Sequence, residues 1–282
     1  MKLITYQTGD APQIGAIVDN NVVPLDIASD MIALLQEGDE GMEKAAKAIE
    51  AADADSMVSL DDVTLLPPVT NPAKVIALGR NYAAHAAEGG SAPPDYPMLF
   101  HKTAGSLIGH GAQIVIPPVT KRVDYECELV VVIGKECYQV SEEEALGYVA
   151  GYSAGNDVSA RDLQRRTTQF TAGKMLDTFG PCGPALVTAD EIPDPSNLEI
   201  KTILNGEVMQ HSNTKMMIFT VPFTISYISQ IVKLQPGDLI YTGTPEGVGF
   251  ARKPPVWLKE GDEVTIDVER VGVLTNPVVY QA

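Results

Sequence analysis

Residues 123–134 read Val-Asp-Tyr-Glu-Cys-Glu-Leu-Val-Val-Val-Ile-Gly, and they restrict the fold more than any other stretch of the chain. The second half is an unbroken run of apolar, mostly β-branched residues, which favours a buried strand. The first half puts Glu126 and Glu128 two positions apart. Side chains alternate along a strand, so both glutamates project from one face while Tyr125 and Cys127 point the other way. Two neighbouring carboxylates repel, and burying either alone costs several kcal/mol or shifts its pKa. A hard divalent cation removes both penalties. With Asp157 from Gly-Asn-Asp-Val-Ser as a third oxygen donor, the ligand chemistry favours Mg²⁺, Mn²⁺ or Ca²⁺ over Zn²⁺. A Glu-x-Glu pair is also what a solvated strand carries, and Asp157 also reads as a turn residue. The apolar run is what argues for burial.

The 282 residues suffice for a large domain with a small companion, and the division expected is 1–68 and 69–282. A net charge of −17 argues against nucleic acid and against anionic membrane surfaces as partners. A small anionic substrate stays compatible, because a pocket can be locally positive. Three scattered cysteines, Cys127, Cys137 and Cys182, suggest a reducing compartment without a disulfide framework. The N-terminus lacks a signal-peptide core, and no apolar run is long enough for a membrane span, so a cytoplasmic protein is expected.

Short strands are expected at 2–6, 15–18 and 22–25, and helices at 31–35 and 42–52. Pro67-Pro68 and Asn71-Pro72 punctuate the boundary. Beyond it, strands are expected near 74–79, 114–116, 129–133, 200–204, 239–242 and 264–268, with helices at 142–150 and 221–231. The result is an α+β, β-rich chain rather than alternating βαβ units.

Asn81-Tyr-Ala-Ala-His-Ala-Ala-Glu-Gly-Gly reads as a short helix capped by Asn81 and ended by Gly89-Gly90. His85 and Glu88 then share a face, and a carboxylate bonded to a histidine fixes its tautomer and raises its basicity. Such a pair can take a proton from water, and the Pro-rich loop that follows reads as a mobile lid. A surface helix pair has the same spacing. Lys174, set between apolar residues and glycines, reads either as an oxyanion-stabilising cation or as a surface lysine. The glycine-rich run 243–249 can present backbone N–H groups to a carboxylate. His101, His110 and His211 show no metal spacing, and Cys127 reads as packed rather than nucleophilic.

Taken in order, these segments resemble the fumarylacetoacetate hydrolase family. The matching pieces are Asn81-Tyr82-x-x-His85-x-x-Glu88, Phe100-x-Lys102, Asp124-Tyr-Glu126-x-Glu128-Leu, Asn156-Asp157-Val-Ser-Ala-Arg-Asp-Leu-Gln164, Gly173-Lys174-x-x-Asp177-Thr-Phe-Gly-Pro and Thr242-Gly-Thr244-Pro-x-Gly-Val-Gly249. The resemblance implies a mixed β-sandwich roll with a small N-terminal α+β domain, commonly a homodimer. It implies Glu126, Glu128 and Asp157 as ligands of Mg²⁺ (or Mn²⁺ or Ca²⁺). It makes His85 and Glu88 the water-activating dyad and Lys174 the oxyanion partner. It puts Arg80, Tyr82, Lys102, Gln164 and Thr244 around the substrate.

The activity expected from this is a metal-dependent hydrolase that cleaves a C–C bond in a small 2,4-dioxo acid of the acylpyruvate type, a small anionic keto acid. The alternative is a lyase or decarboxylase acting on oxaloacetate or on a related β-keto or sugar-derived diketo acid. A scaffold with a purely structural metal is the reading from another class, and His85, Glu88 and Lys174 argue against it.

Overall fold

A computed structural model describes residues 1–9 and 11–281. The strands run in chain order: β1 (Lys2–Gln7), β2 (Gln13–Val18), β3 (Asn21–Pro24), β4 (Val58–Ser59), β5 (Thr64–Leu66), β6 (Val75–Gly79), β7 (Met98–Lys102), β8 (Leu107–Ile108), β9 (Ile114–Ile116), β10 (Val123–Asp124), β11 (Cys127–Ile133), β12 (Val149–Asn156), β13 (Ser159–Ala160), β14 (Gly180–Thr188), β15 (Glu199–Leu204), β16 (Glu207–Asn213), β17 (Leu239–Tyr241), β18 (Glu263–Val268) and β19 (Gly272–Tyr280). The α-helices are α1 (Met31–Gln36), α2 (Asp39–Ala51), α3 (Ala83–Glu88), α4 (Arg161–Gln164) and α5 (Val221–Ile231). None is long and apolar enough to cross a membrane.

A large mixed sheet runs β4-β3-β2-β1-β14-β12-β11-β17-β6-β7, with β5 added on β1 and β8 on β14. A second sheet, β16-β15-β18-β19-β9, packs across it, and β10 pairs separately with β13. The β-rich α+β architecture matches the expected fold class. The N-terminal strands are hydrogen-bonded into the large sheet, with Lys2 opposite Val187 and Leu3 opposite Leu186. That sheet is therefore continuous across the boundary expected near residue 68.

The alternation of β11 divides two cores. Tyr125, Cys127, Leu129, Val131 and Ile133 pack with Ile200, Ile266 and Leu274 of the second sheet. Val130 and Val132 pack on the opposite face with Leu3 of β1 and with Leu34 and Leu35 of α1. Every residue of β11 is buried, which is why its apolar run has no polar interruption. Glu126 and Glu128 share the face of Val130 and Val132, just before the point at which apolar cover begins.

One expected element is corrected. Residues 142–150 form no α-helix: a 3₁₀ turn spans Ala145–Tyr148, and Val149 already opens β12. The Glu-Glu-Glu-Ala-Leu run favours helix locally, but the residues after it supply a central strand paired on both sides, with β11 and β14. Tertiary pairing overrides the local preference.

Candidate active site

β11 and β12 bring the three carboxylates together. Cys127 pairs with Asn156 and Glu128 with Gly155. Just beyond the strand ends, Asp157 N donates to the Glu126 carbonyl at 2.9 Å, and Glu126 N donates to Asn156 Oδ1 at 3.0 Å. Gly155 permits this close layering, since a Cβ there would lie 2.4 Å from Val130 Cγ2 and 2.7 Å from Tyr241 Cε1. The carboxylate oxygens of Glu126, Glu128 and Asp157 come within 4.8 Å of one another, and all three residues are buried.

Cations surround this corner unevenly. Lys174 Nζ bridges Glu126 Oε2 at 2.5 Å and Asp157 Oδ2 at 2.6 Å. Lys102 Nζ donates to Asp157 Oδ1 at 2.7 Å and to the Lys174 carbonyl at 2.6 Å. Arg161 Nη2 lies 2.7 Å from Glu126 Oε1 and 2.8 Å from Asp124 Oδ2. Burial works against the charge of Glu126, yet Arg161, Lys174 and His85 hold its carboxyl down at about 2. Burial and then the negative charges of Asp157 and Glu126 push Glu128 well above the usual carboxylate range. Glu128 Oε2 accepts from Gly243 N at 2.7 Å, whereas Oε1 is buried with no partner. A buried, unpaired carboxylate oxygen facing two others is a site for a hard divalent cation, and this oxygen-only set fits Mg²⁺, Mn²⁺ or Ca²⁺.

One loop ties these acids to the rest of the site. Gly243 N donates to Glu128, Gly247 N to Glu88 Oε2 at 3.0 Å, and Gly249 N to Asp124 Oδ1 at 2.7 Å. The glycine-rich run does present N–H groups to carboxylates, and these belong to the protein's own site. Gly243 and Gly247 adopt φ of +96° and +97°, a region open mainly to glycine. Glu88 Oε1 lies 2.8 Å from His85 Nδ1, which leaves Nε2 as the free ring nitrogen. Asn81 does not cap α3, whose N-cap is Tyr82 without a side-chain bond. Its amide instead donates to the carbonyls of Phe219 and Thr242 at 3.0 and 2.7 Å and accepts from Phe219 N at 2.7 Å. The side chain serves long-range anchoring of the segment before α3, a use that local spacing does not reveal.

A cavity of about 190 Å³ opens onto the corner. Of the expected residues, Arg80, His85, Glu126, Gln164, Lys174 and Thr244 line it. Glu88, Glu128 and Asp157 are not on its wall, although each touches a residue or a loop that is: Glu88 bonds His85, Asp157 bonds Lys174, and Glu128 bonds Gly243 of the loop that carries Thr244. Lys102 and Tyr82 are not on the cavity wall. Lys102 is fully committed beneath Asp157, and Tyr82 is wholly buried with an unpartnered hydroxyl. Arg80 holds a φ of +57°, a strained backbone of the kind found at binding sites.

Four residues without an assigned role prove central: Asp124, Arg161, Arg165 and Phe250. Asp124 accepts from Arg161 Nε at 2.8 Å and from Gly249 N and Phe250 N at 2.7 and 3.1 Å. Phe250 carries the guanidinium groups of Arg161 and Arg165 at 4.7 and 4.4 Å from its ring centre. Asp124 and Arg161 both fall inside quoted motif segments. Nothing in those segments pairs them, because the contact spans 37 residues and is made by the β10–β13 bridge.

Comparison with known proteins agrees with this geometry. The fumarylacetoacetate (FAA) hydrolase C-terminal family matches residues 74–279. The mitochondrial oxaloacetate tautomerase Fahd2a of Rattus norvegicus is 44% identical over 289 residues, covering 99% of this chain and 92% of the relative. A 5-carboxymethyl-2-hydroxymuconate delta-isomerase from Mycobacterium smegmatis superposes with a TM-score of 0.81 at 35% identity, each chain fully covered. A maleylpyruvate hydrolase from Sphingobium sp. SYK-6, solved with manganese(II) and pyruvate, superposes with a TM-score of 0.83 at 31% identity, again over both whole chains.

Proposed function

The chain belongs to the fumarylacetoacetate hydrolase family, and from that premise we propose that it performs metal-assisted keto–enol chemistry on a small 2-oxo diacid, with oxaloacetate tautomerisation as the leading activity. The observation that carries this reading is the buried carboxylate triad, with its unpartnered Glu128 oxygen, beside an arginine-walled cavity. Four carboxylates (Asp124, Glu126, Glu128, Asp157) face three cations (Lys102, Arg161, Lys174), a formal −1 that a divalent cation turns to +1. A dianionic acid complements that charge. The near-full-length likeness to an oxaloacetate tautomerase supports the choice of acid.

A bound divalent cation would polarise the carbonyl of a chelated 2-oxo carboxylate. The protein supplies the rest. Arg161, Arg80 and Gln164 orient the carboxylates, as planar guanidinium forks do. Lys174, a wall of the cavity whose ammonium bridges Glu126 and Asp157, stabilises negative charge on the 2-oxo oxygen as it develops. His85 moves the proton: with Nδ1 fixed by Glu88, Nε2 takes it from C3 and returns it to the 2-oxo oxygen to give the enol, and the reverse transfer, from the enol hydroxyl to C3, gives the keto form.

The second reading is hydrolysis of an acylpyruvate. It is favoured by the His85–Glu88 pair, since the same Nε2 can take the proton of a water that attacks the distal carbonyl. The likeness to a maleylpyruvate hydrolase also supports it.

The test follows enolic oxaloacetate by its ultraviolet band, with parallel assays for pyruvate. Mg²⁺-dependent loss of the band without pyruvate is the expected result. Pyruvate and CO₂ from oxaloacetate would move the assignment to decarboxylation. Cleavage of acetylpyruvate to acetate and pyruvate would move it to hydrolysis. Inertness toward both acids in the presence of bound metal would contradict the proposal.

A further inference from the structure

Gln210 is a buried polar side chain that the mechanism does not use. It stands on β16 of the second sheet, opposite Thr202 of β15. Its amide makes four hydrogen bonds. Oε1 accepts from Cys127 N at 3.0 Å and from Thr202 Oγ1 at 2.7 Å. Nε2 donates to the Pro245 carbonyl at 2.8 Å and to Thr244 Oγ1 at 2.9 Å. These bonds use both N–H groups and both lone pairs of the amide.

Two of the partners fix which way the amide lies. A backbone N–H only donates and a carbonyl only accepts, so Cys127 N must meet the amide oxygen and the Pro245 carbonyl must meet its nitrogen. The end that meets Thr244 is therefore an N–H, and the Thr244 hydroxyl accepts from it. That commits a lone pair of Thr244 Oγ1 and turns the hydroxyl proton away from Gln210. Among the described residues no oxygen accepts that proton. The protein group left near it is the Cys127 thiol, a weak acceptor that burial keeps protonated. Thr244 itself lines the inner cavity, whereas Gln210 does not.

We infer that Gln210 is a positioning residue that makes the Thr244 hydroxyl a hydrogen-bond donor to the 2-oxo acid in the inner cavity. The inference rests on the proposed function, because it takes that cavity to bind the 2-oxo acid. It makes this point of the wall select an acceptor oxygen, such as a carboxylate, over a hydroxyl or an amide N–H.

The test is calorimetric binding of pyruvate to the Mn²⁺-saturated protein, carried through a cycle of Gln210→Glu and Thr244→Val. Glutamate keeps the size of the side chain and an oxygen for Cys127 N and Thr202. It carries at most one proton, which the Pro245 carbonyl claims, so Thr244 meets a lone pair and donates to it. Gln210→Glu is expected to weaken pyruvate binding about 10-fold, as loss of one charge-assisted hydrogen bond does, and Thr244→Val by the same factor. The double variant is expected to lie within about 2-fold of either single variant, because each removes the same bond. Gln210→Met, of similar length and without an N–H or a charge, enters the same cycle and is expected to weaken binding only where Thr244 is present. Losses that multiply, to about 100-fold in a double variant, would overturn the inference, since position 210 would then act by packing or charge whatever stands at 244. Unchanged pyruvate affinity in Thr244→Val, or in the position 210 variants, would overturn it as well. In each of these cases pyruvate binding by the unmodified protein leaves the proposed function standing. Failure of pyruvate to bind the unmodified Mn²⁺-loaded protein would overturn the proposed function, and the inference with it.

Discussion

The carboxylate corner and the α3 rim face one cavity but are held in different ways. The corner stands on fully buried β11, on its pairing with β12 and on three cations that grip two of the three carboxylates. The rim is a six-residue helix without a side-chain cap. A helix so short has no independent stability. It is positioned by Asn81 at its start and by the Gly247 N–H on Glu88 near its end. The contrast teaches that the proposed cation site and the proposed proton-transfer residue rest on different elements, paired strands for one and a short anchored helix for the other, although the 243–249 loop touches both. Mutations should therefore be able to remove one and spare the other.

The largest effect should come from the corner. Glu128→Gln removes the carboxylate with the unpartnered oxygen, and metal affinity should fall by more than about 100-fold, beyond what loss of an outer partner costs, with turnover lost in parallel. Thermal melting sharpens the point. Mg²⁺ at about 100 times its Kd should stabilise the unmodified protein by about 2.7 kcal/mol, a rise in Tm of roughly 5–10 °C, and leave the variant unmoved.

Next comes the rim. His85→Ala should lower turnover by about 10²–10⁴-fold, while calorimetry finds Mn²⁺ affinity unchanged. A parallel fall in metal affinity would break the separation of the two supports. Asp124→Asn lies between them. It frees Arg161 and the Gly249–Phe250 backbone, so KM should rise about 10-fold, and loss of a buried pair should cost about 3 kcal/mol in denaturant unfolding. Smaller still is Asn81→Ala. Losing buried amide bonds should cost about 1–3 kcal/mol and lower kcat more than metal affinity. Lys47→Ala, which removes an exposed contact to Glu43 at 3.7 Å, should change neither activity nor Tm measurably.

The parts of the site readable in the chain were those written at short spacing. Glu126 and Glu128 share a face because strands alternate, and the apolar run beside them announces burial. The His85–Glu88 contact follows from helical spacing, and the free, buried Cys127 faces away as expected, with burial raising its thiol to about 12. What stayed hidden depends on distance along the chain. Asp124 meets Arg161 only because β10 and β13 pair. Asn81 reaches Phe219 and Thr242, 138 and 161 residues away, and its capping chemistry gives no hint of that. Residues 142–150 show the opposite failure, in which helix-favouring glutamates precede a strand whose place is set by two distant partners. Lys102 illustrates a third limit. Its proximity to the site was legible, but its burial beneath Asp157, away from the cavity wall, was not.

The most direct test is titration of Mn²⁺ into the metal-free protein and into Glu128→Gln, read by calorimetry. The triad predicts one ion per chain in the unmodified protein, and at least a 100-fold weaker interaction in the variant. Absence of binding in the unmodified protein, or equal binding in both, would contradict the carboxylate corner as the metal centre.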